Sequence, residues 1–142
     1  MILVLDASVA VKWATPALTE PLSNEARRLL ARHMTGQIEF VVPDIFWAEF
    51  SNVLWKGVNR GRWSYLEARR AIAEILAQGF VTVPSVSLLL QAVDIAFETN
   101  QGVYDCLYAA LALEAQTDLI TADERLANAL AARFPVKWLG AF

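Results

Sequence analysis

The chemistry open to this sequence is mainly that of carboxylates. His33 is the only histidine and Cys106 the only cysteine. A multi-imidazole metal site, an internal disulfide and a cysteine-based zinc cage are therefore excluded. Of the fifteen acids, Glu25, Glu67, Glu74, Glu98, Glu114 and Glu124 fall on polar helix faces or in first turns. Four others sit in apolar surroundings. Asp6 follows Ile-Leu-Val-Leu, and Glu49 ends Pro-Asp-Ile-Phe-Trp-Ala-Glu. Asp105 lies in Tyr-Asp-Cys-Leu-Tyr-Ala-Ala, and Asp123 follows Leu-Ile-Thr-Ala. A part-buried carboxylate without a partner is costly or takes up a proton.

Singly, each acid has an ordinary explanation. Asp6 and Asp123 are helix caps, Glu49 pairs with Lys56 or another cation, and Asp105 meets a neighbouring tyrosine. Together they describe one negatively charged cleft. Like charges at short range raise one another's pKa unless a cation neutralises them. Mg²⁺ or Mn²⁺ suits a site built of oxygen ligands alone. Ser8 and Thr121 each stand two residues from an acid of the set and are expected to support it as hydrogen-bond donors. A divalent cation on such a cluster points to phosphoryl chemistry, with metal-activated water as the nucleophile.

The elements that would position these groups are legible from periodicity. Ile2–Leu5 reads as a buried strand running straight into a helix from Ala7. Pro16 and Pro21 bracket a loop, and a helix follows over 21–34. A second strand spans Ile38–Val42. A helix spans Asp44–Lys56, with Phe46, Phe50, Val53 and Leu54 as its apolar stripe. Gly57 and Gly61 place a turn at 57–63. Ser64 and Glu67 have capping-box form and open a helix to about Gln78. A strand over Phe80–Val83 precedes a helix capped by Ser87. Further elements are a helix over Tyr104–Gln116, a strand Leu119–Thr121, a helix from Asp123 to Arg133 and a strand Val136–Leu139.

Alternating strands and helices imply an α/β domain with a parallel or mostly parallel sheet of four to five strands, helices covering both faces. At 142 residues this is expected to be a single domain over 1–142. Asp6 and Asp123 would then share the carboxyl rim of the sheet, where sites of such folds lie.

Composition narrows the function classes. The chain is 56% hydrophobic and 19% charged, which excludes disorder. Its apolar runs are too short for a membrane span, and no secretory signal opens it, so it is expected to be cytoplasmic. A net charge of −3 argues against tight non-specific nucleic-acid binding. A local patch of Lys56, Arg60, Arg62, Arg69 and Arg70, with Lys12 apart from it, is either a phosphate-gripping surface or a solvated turn and helix face. Trp47, Trp55, Trp63 and Tyr65 either pack within a helical hairpin or form a partner surface. His33 reads as non-catalytic, and Cys106 as a small core residue.

The order Asp6, Glu49, Asp105, Asp123, with the strings Asp-Ala-Ser-Val-Ala-Val-Lys-Trp, Pro-Asp-Ile-Phe-Trp-Ala-Glu, Tyr-Asp-Cys-Leu-Tyr-Ala-Ala-Leu-Ala and Leu-Ile-Thr-Ala-Asp-Glu-Arg-Leu, resembles the acidic quartet of PIN-domain nucleases. Within that family the sequence looks most like VapC toxins of prokaryotic toxin–antitoxin pairs. The resemblance implies a PIN-like three-layer α/β/α fold and a Mg²⁺- or Mn²⁺-dependent endoribonuclease. It also implies a homodimer and a cognate VapB-type antitoxin. Asp6, Glu49, Asp105 and Asp123 carry over as metal and catalytic acids, with Ser8 and Thr121 in support. Two readings compete with it. A phosphotransferase using Asp6 as nucleophile would want an acid where Ser8 stands. A non-enzymatic protein- or RNA-binding module would keep the acidic cluster as a structural feature. No G-x-G-x-x-G follows the first strand, so a dinucleotide site is excluded.

Overall fold

Strand β1 (Ile2–Leu5) is apolar along its whole length, and Leu3, Val4 and Leu5 are buried. Such a strand belongs in the middle of a parallel sheet, covered on both faces. In the computed structural model, which describes residues 1–14 and 20–142, β1 lies between β2 (Glu39–Pro43) and β4 (Leu119–Thr121). Strand β3 (Val81–Val83) pairs with β2, and β5 (Val136–Trp138) pairs with β4. All pairings are parallel, and the order is β3-β2-β1-β4-β5. The register sets Leu3 against Phe40 and Leu5 against Ile120. The expected α/β architecture with a parallel sheet is thus present, with five strands.

Seven α-helices among the described residues cover the sheet. They are α1 (Ala7–Ala14), α2 (Ser23–Met34), α3 (Ile45–Asn59), α4 (Tyr65–Leu76), α5 (Leu89–Thr99), α6 (Val103–Glu114) and α7 (Glu124–Leu130). Helix α6 is the most deeply set, with Cys106 to Ala112 buried without a break. Helix α4 opens on the expected capping box: the Ser64 hydroxyl accepts from the Glu67 amide, and the Glu67 carboxylate accepts from the Ser64 amide. Of the loop expected between Pro16 and Pro21, Pro16 lies outside the described residues.

Three local expectations are corrected. Helix α3 does not stop before Gly57 but continues to Asn59. Gly57 is buried there because the Trp63 ring lies on it, and a Cβ would meet ring carbons at 2.0–2.7 Å. The turn begins beyond it, with Gly61 at φ +73°. Val53 is exposed rather than part of the buried stripe, which is Phe46, Phe50, Leu54 and Gly57. Ser87 sits in a 3₁₀ turn over Ser85–Leu88, and its hydroxyl donates to the Pro84 carbonyl instead of capping α5.

Candidate active site

The sheet order divides at β1 and β4. From β1 the chain builds β2 and β3 to one side, then crosses to lay β4 and β5 on the other. Connections diverge at such a point and leave a crevice beyond the carboxyl ends of the strands. Asp6 is the residue after β1. Thr121 closes β4, with Asp123 two residues on as the N-cap of α7.

Asp6 is 8% exposed, and its carboxylate is held by two hydroxyls. Ser8 Oγ donates to Oδ2 at 2.6 Å, and Thr121 Oγ1 donates to the same oxygen at 2.7 Å. The direction of these bonds is set from behind. The Ala122 amide donates to Ser8 Oγ at 3.0 Å, and the Asp123 amide donates to Thr121 Oγ1 at 3.1 Å. Each hydroxyl already accepts from the backbone, so its single proton goes to Asp6. The 3.3 Å approach of the two hydroxyl oxygens follows from their sharing one acceptor. Among the described residues no hydrogen bond reaches Oδ1. Burial pushes the Asp6 pKa up, the two hydroxyls oppose that shift, and Asp105 and Asp123 add to it.

Glu49 reaches the site from α3, and Asp105 from the first turn of α6. Burial raises both carboxyls above the ordinary range. The charges of Asp6 and Asp105 add to the shift at Glu49, and that of Asp123 adds to the shift at Asp105. These mutual effects mark the four acids as one electrostatic cluster. Three of them lie at helix N-termini, those of α1, α6 and α7, whose dipoles favour negative charge.

The partners expected for single acids are only partly those found. Asp123 does cap α7, accepting from the Leu126 amide at 3.1 Å. Glu49 does not pair with Lys56; it accepts a 2.6 Å hydrogen bond from Tyr108. That tyrosine, a neighbour of Asp105 on α6, therefore serves a different acid. Burial and the charges of Asp6 and Glu49 hold its phenol far above the usual tyrosine range, so it remains a donor. Arg125 was not singled out by the sequence reading. It lies 3.7 Å from Asp123 Oδ2, donates to Gln101 Oε1 at 3.2 Å and lowers the Asp105 pKa. Its signal was its place two residues after Asp123, in the first turn of α7.

Among the described residues, no three His, Cys, Asp or Glu side chains are gathered closely enough to hold a metal ion unaided. The donor chemistry nevertheless fits a hard divalent cation. Every donor is oxygen, the charges repel one another, and Asp6 Oδ1 is clear of the two hydroxyls. An ion such as Mg²⁺ keeps several waters and needs one or two carboxylates directly.

The basic residues separate into different settings. Glu20 engages Lys12 at 3.7 Å and Arg62 at 2.7 Å, and the Arg62 guanidinium also covers the Trp63 ring. Arg69 lines an apolar groove between α3 and α4, while Lys56, Arg60 and Arg70 are exposed. The aromatics divide likewise. Trp63 packs on Gly57 and donates to the Leu54 carbonyl at 2.7 Å, and Trp47 donates to Thr82. Trp55 and Tyr65 are 59% and 63% exposed and line that groove, whose volume is about 370 Å³. His33 stacks on Phe40 and meets Phe80 edge-on at the core rim, and it bonds the Ile38 carbonyl, while Cys106 is buried.

A sequence model of the PIN domain family matches residues 3–130. No curated protein sequence matches the chain. Several solved structures share its fold. The protein PAE2754 of Pyrobaculum aerophilum superposes with a TM-score of 0.74 at 19% identity, covering 99% of this chain and 85% of that one. VapC20 of Mycobacterium tuberculosis, described as a sarcin–ricin loop cleaving toxin, gives 0.67 at 18%, covering 93% and 95%. A toxin–antitoxin complex from Klebsiella pneumoniae gives 0.65 at 16%, covering 94% of each chain.

Proposed function

The chain belongs to the PIN domain family, and from that premise we propose that it is a metal-dependent endoribonuclease, the toxin of a VapBC-type pair. The observation that carries this reading is the cluster of Asp6, Glu49, Asp105 and Asp123 at the sheet's division between β1 and β4. A structural cluster would be expected to neutralise its acids with protein cations. Among the described residues, Arg125 is the one cation that the shifts of Asp6, Glu49 and Asp105 register, and it acts on Asp105. The four acids would hold Mg²⁺ or Mn²⁺ between them, partly through its waters. That ion would supply polarisation of a phosphate oxygen and a bound water of lowered pKa.

The chain's own groups do the remaining work. Ser8 and Thr121 fix Asp6 through Oδ2 and leave Oδ1 free of both hydroxyls. Glu49 and Asp105 would supply carboxylate oxygens that accept hydrogen bonds from the ion's waters. Arg125, exposed at the rim, offsets part of the negative charge an incoming phosphate must meet.

Two apolar surfaces support the protein partners of this reading. The Trp55–Tyr65 groove is concave and suits a segment of the antitoxin. Along the 3₁₀ turn over Ser85–Leu88 and α5, Leu88, Ala92 and Ile95 are buried, while Val86, Leu90 and Phe97 are exposed, Phe97 88%. A helix apolar on two sides needs a second cover. A convex stripe of this kind suits a symmetric pairing of two copies.

The test is cleavage of a mixed set of structured and single-stranded RNAs with Mg²⁺, with Mn²⁺ and with EDTA, comparing wild type with Asp105→Asn. Metal-dependent cleavage that vanishes in the variant is the expected result. Absence of both cleavage and Mn²⁺ binding in the wild type would overturn the reading in favour of a binding module.

A further inference from the structure

Helix α6 carries one strongly polar side chain in its buried run from Cys106 to Ala112, and that is Tyr108. The residue is 0% exposed. If its role were packing alone, phenylalanine would fill the space without a hydroxyl that must find a partner in the core. The hydroxyl instead donates to Glu49 Oε1 at 2.6 Å, a short bond of the charge-assisted kind. Among the described residues Glu49 forms no ion pair, and the charges that act on it most are those of Asp6 and Asp105. The phenol also lies close to the Ala7 backbone, directly after Asp6. Tyr108 follows Asp105 by three residues, so one helix face carries both. It thereby joins the elements bearing three of the four acids.

We propose that Tyr108 is a positioning residue that holds the Glu49 carboxylate at the acidic cluster, where it would help to bind a divalent cation directly or through the ion's waters. Glu49 is an otherwise mobile side chain of three rotatable bonds, rooted on a separate helix from its fellow acids. Fixing one oxygen leaves Oε2 clear of Tyr108 and reduces the entropy lost in ordering the side chain when an ion binds. The role extends the nuclease reading and rests on it.

The experiment measures Mn²⁺ binding by electron paramagnetic resonance for wild type, Tyr108→Phe, Glu49→Gln and the double variant, with melting temperature and RNA cleavage in parallel. Partners of this kind change metal affinity by roughly 10–100-fold. The expected result is a loss of that size for Tyr108→Phe at nearly unchanged melting temperature. In the Glu49→Gln background the same change would have little further effect, because the group it positions is gone. Equal Mn²⁺ affinity in Tyr108→Phe and wild type overturns the positioning role while leaving the nuclease reading intact. So do losses that simply add in the double variant. A Tyr108→Phe protein that does not fold shows that the hydroxyl is needed for structure, and also overturns it. A wild type that binds no Mn²⁺ removes the nuclease reading and this role together.

Discussion

The crevice at β1 and β4 and the α3–α4 hairpin are opposite violations of the same rule. In the crevice, carboxylates lie where water is scarce; on the hairpin, Trp55 and Tyr65 lie where water is abundant. The core itself is sorted by polarity in the usual way, built largely of Leu, Val, Ile, Phe and Ala. Both regions are incomplete in the isolated chain, but they call for different completions. The crevice holds more negative charge than Arg125 offsets, and on the proposed reading a small ion would neutralise the rest. The hairpin lacks apolar cover, which only a macromolecule supplies. None of the four acids lines the groove, so on the proposed reading catalysis and partner binding would be separable.

The sharpest separation is expected from Asp6→Asn. The amide oxygen can still accept from Ser8 and Thr121, so the fold is kept, but cleavage should fall by more than ~100-fold, beyond the loss usual for an outer partner. The same variant tests the electrostatics. Asp6, Glu49 and Asp105 have raised folded-state pKa values. Their contribution to stability is full below the ordinary carboxylate values of 3.8 and 4.5 and is lost as pH rises through the folded ones. In EDTA at neutral pH, Asp6→Asn should therefore melt higher than wild type, and the gap should close on acidification. A variant that melts lower at neutral pH would show that the acids are already neutralised.

Trp55→Glu addresses the other region. An exposed aromatic at the centre of an interface typically accounts for about 2 kcal/mol or more, or roughly 30-fold in affinity. The variant should lose the antitoxin by that factor in a binding titration and keep full cleavage. Cleavage lost along with binding would join the two regions and break the comparison.

Gly57→Ala probes what shapes the hairpin. The new methyl would overlap the Trp63 ring, and overpacking of this kind costs about 1–3 kcal/mol. Melting temperature should drop, while metal affinity per folded molecule stays the same. Ser64→Ala removes the capping box, with an expected loss of about 1 kcal/mol by denaturant unfolding, and should leave cleavage unchanged.

What the sequence determined by itself was local. An apolar run followed by an acid makes a strand ending in a carboxylate, and this placed Asp6 and Asp123 at one rim. Ser64 and Glu67, three apart, made a capping box because the partner of each lies within one turn. Helical spacing put Phe46, Phe50 and Leu54 on one buried face for the same reason. The tertiary structure alone decided which groups from distant segments meet. Ser8 and Thr121, 113 residues apart, converge on one oxygen of Asp6 because β1 and β4 pair in one particular register. Tyr108 serves Glu49 rather than Asp105 because α3 packs where its phenol points. A helical wheel puts Val53 on the apolar stripe and Gly57 at a turn because it shows a face but not its neighbour; only the fold exposes Val53 and lays Trp63 on Gly57. Backbone preferences and capping act within a turn or two of chain, so they can be read in order along it. A hydrogen bond or ring contact between remote side chains depends on the position of whole elements, which packing of the core decides at once.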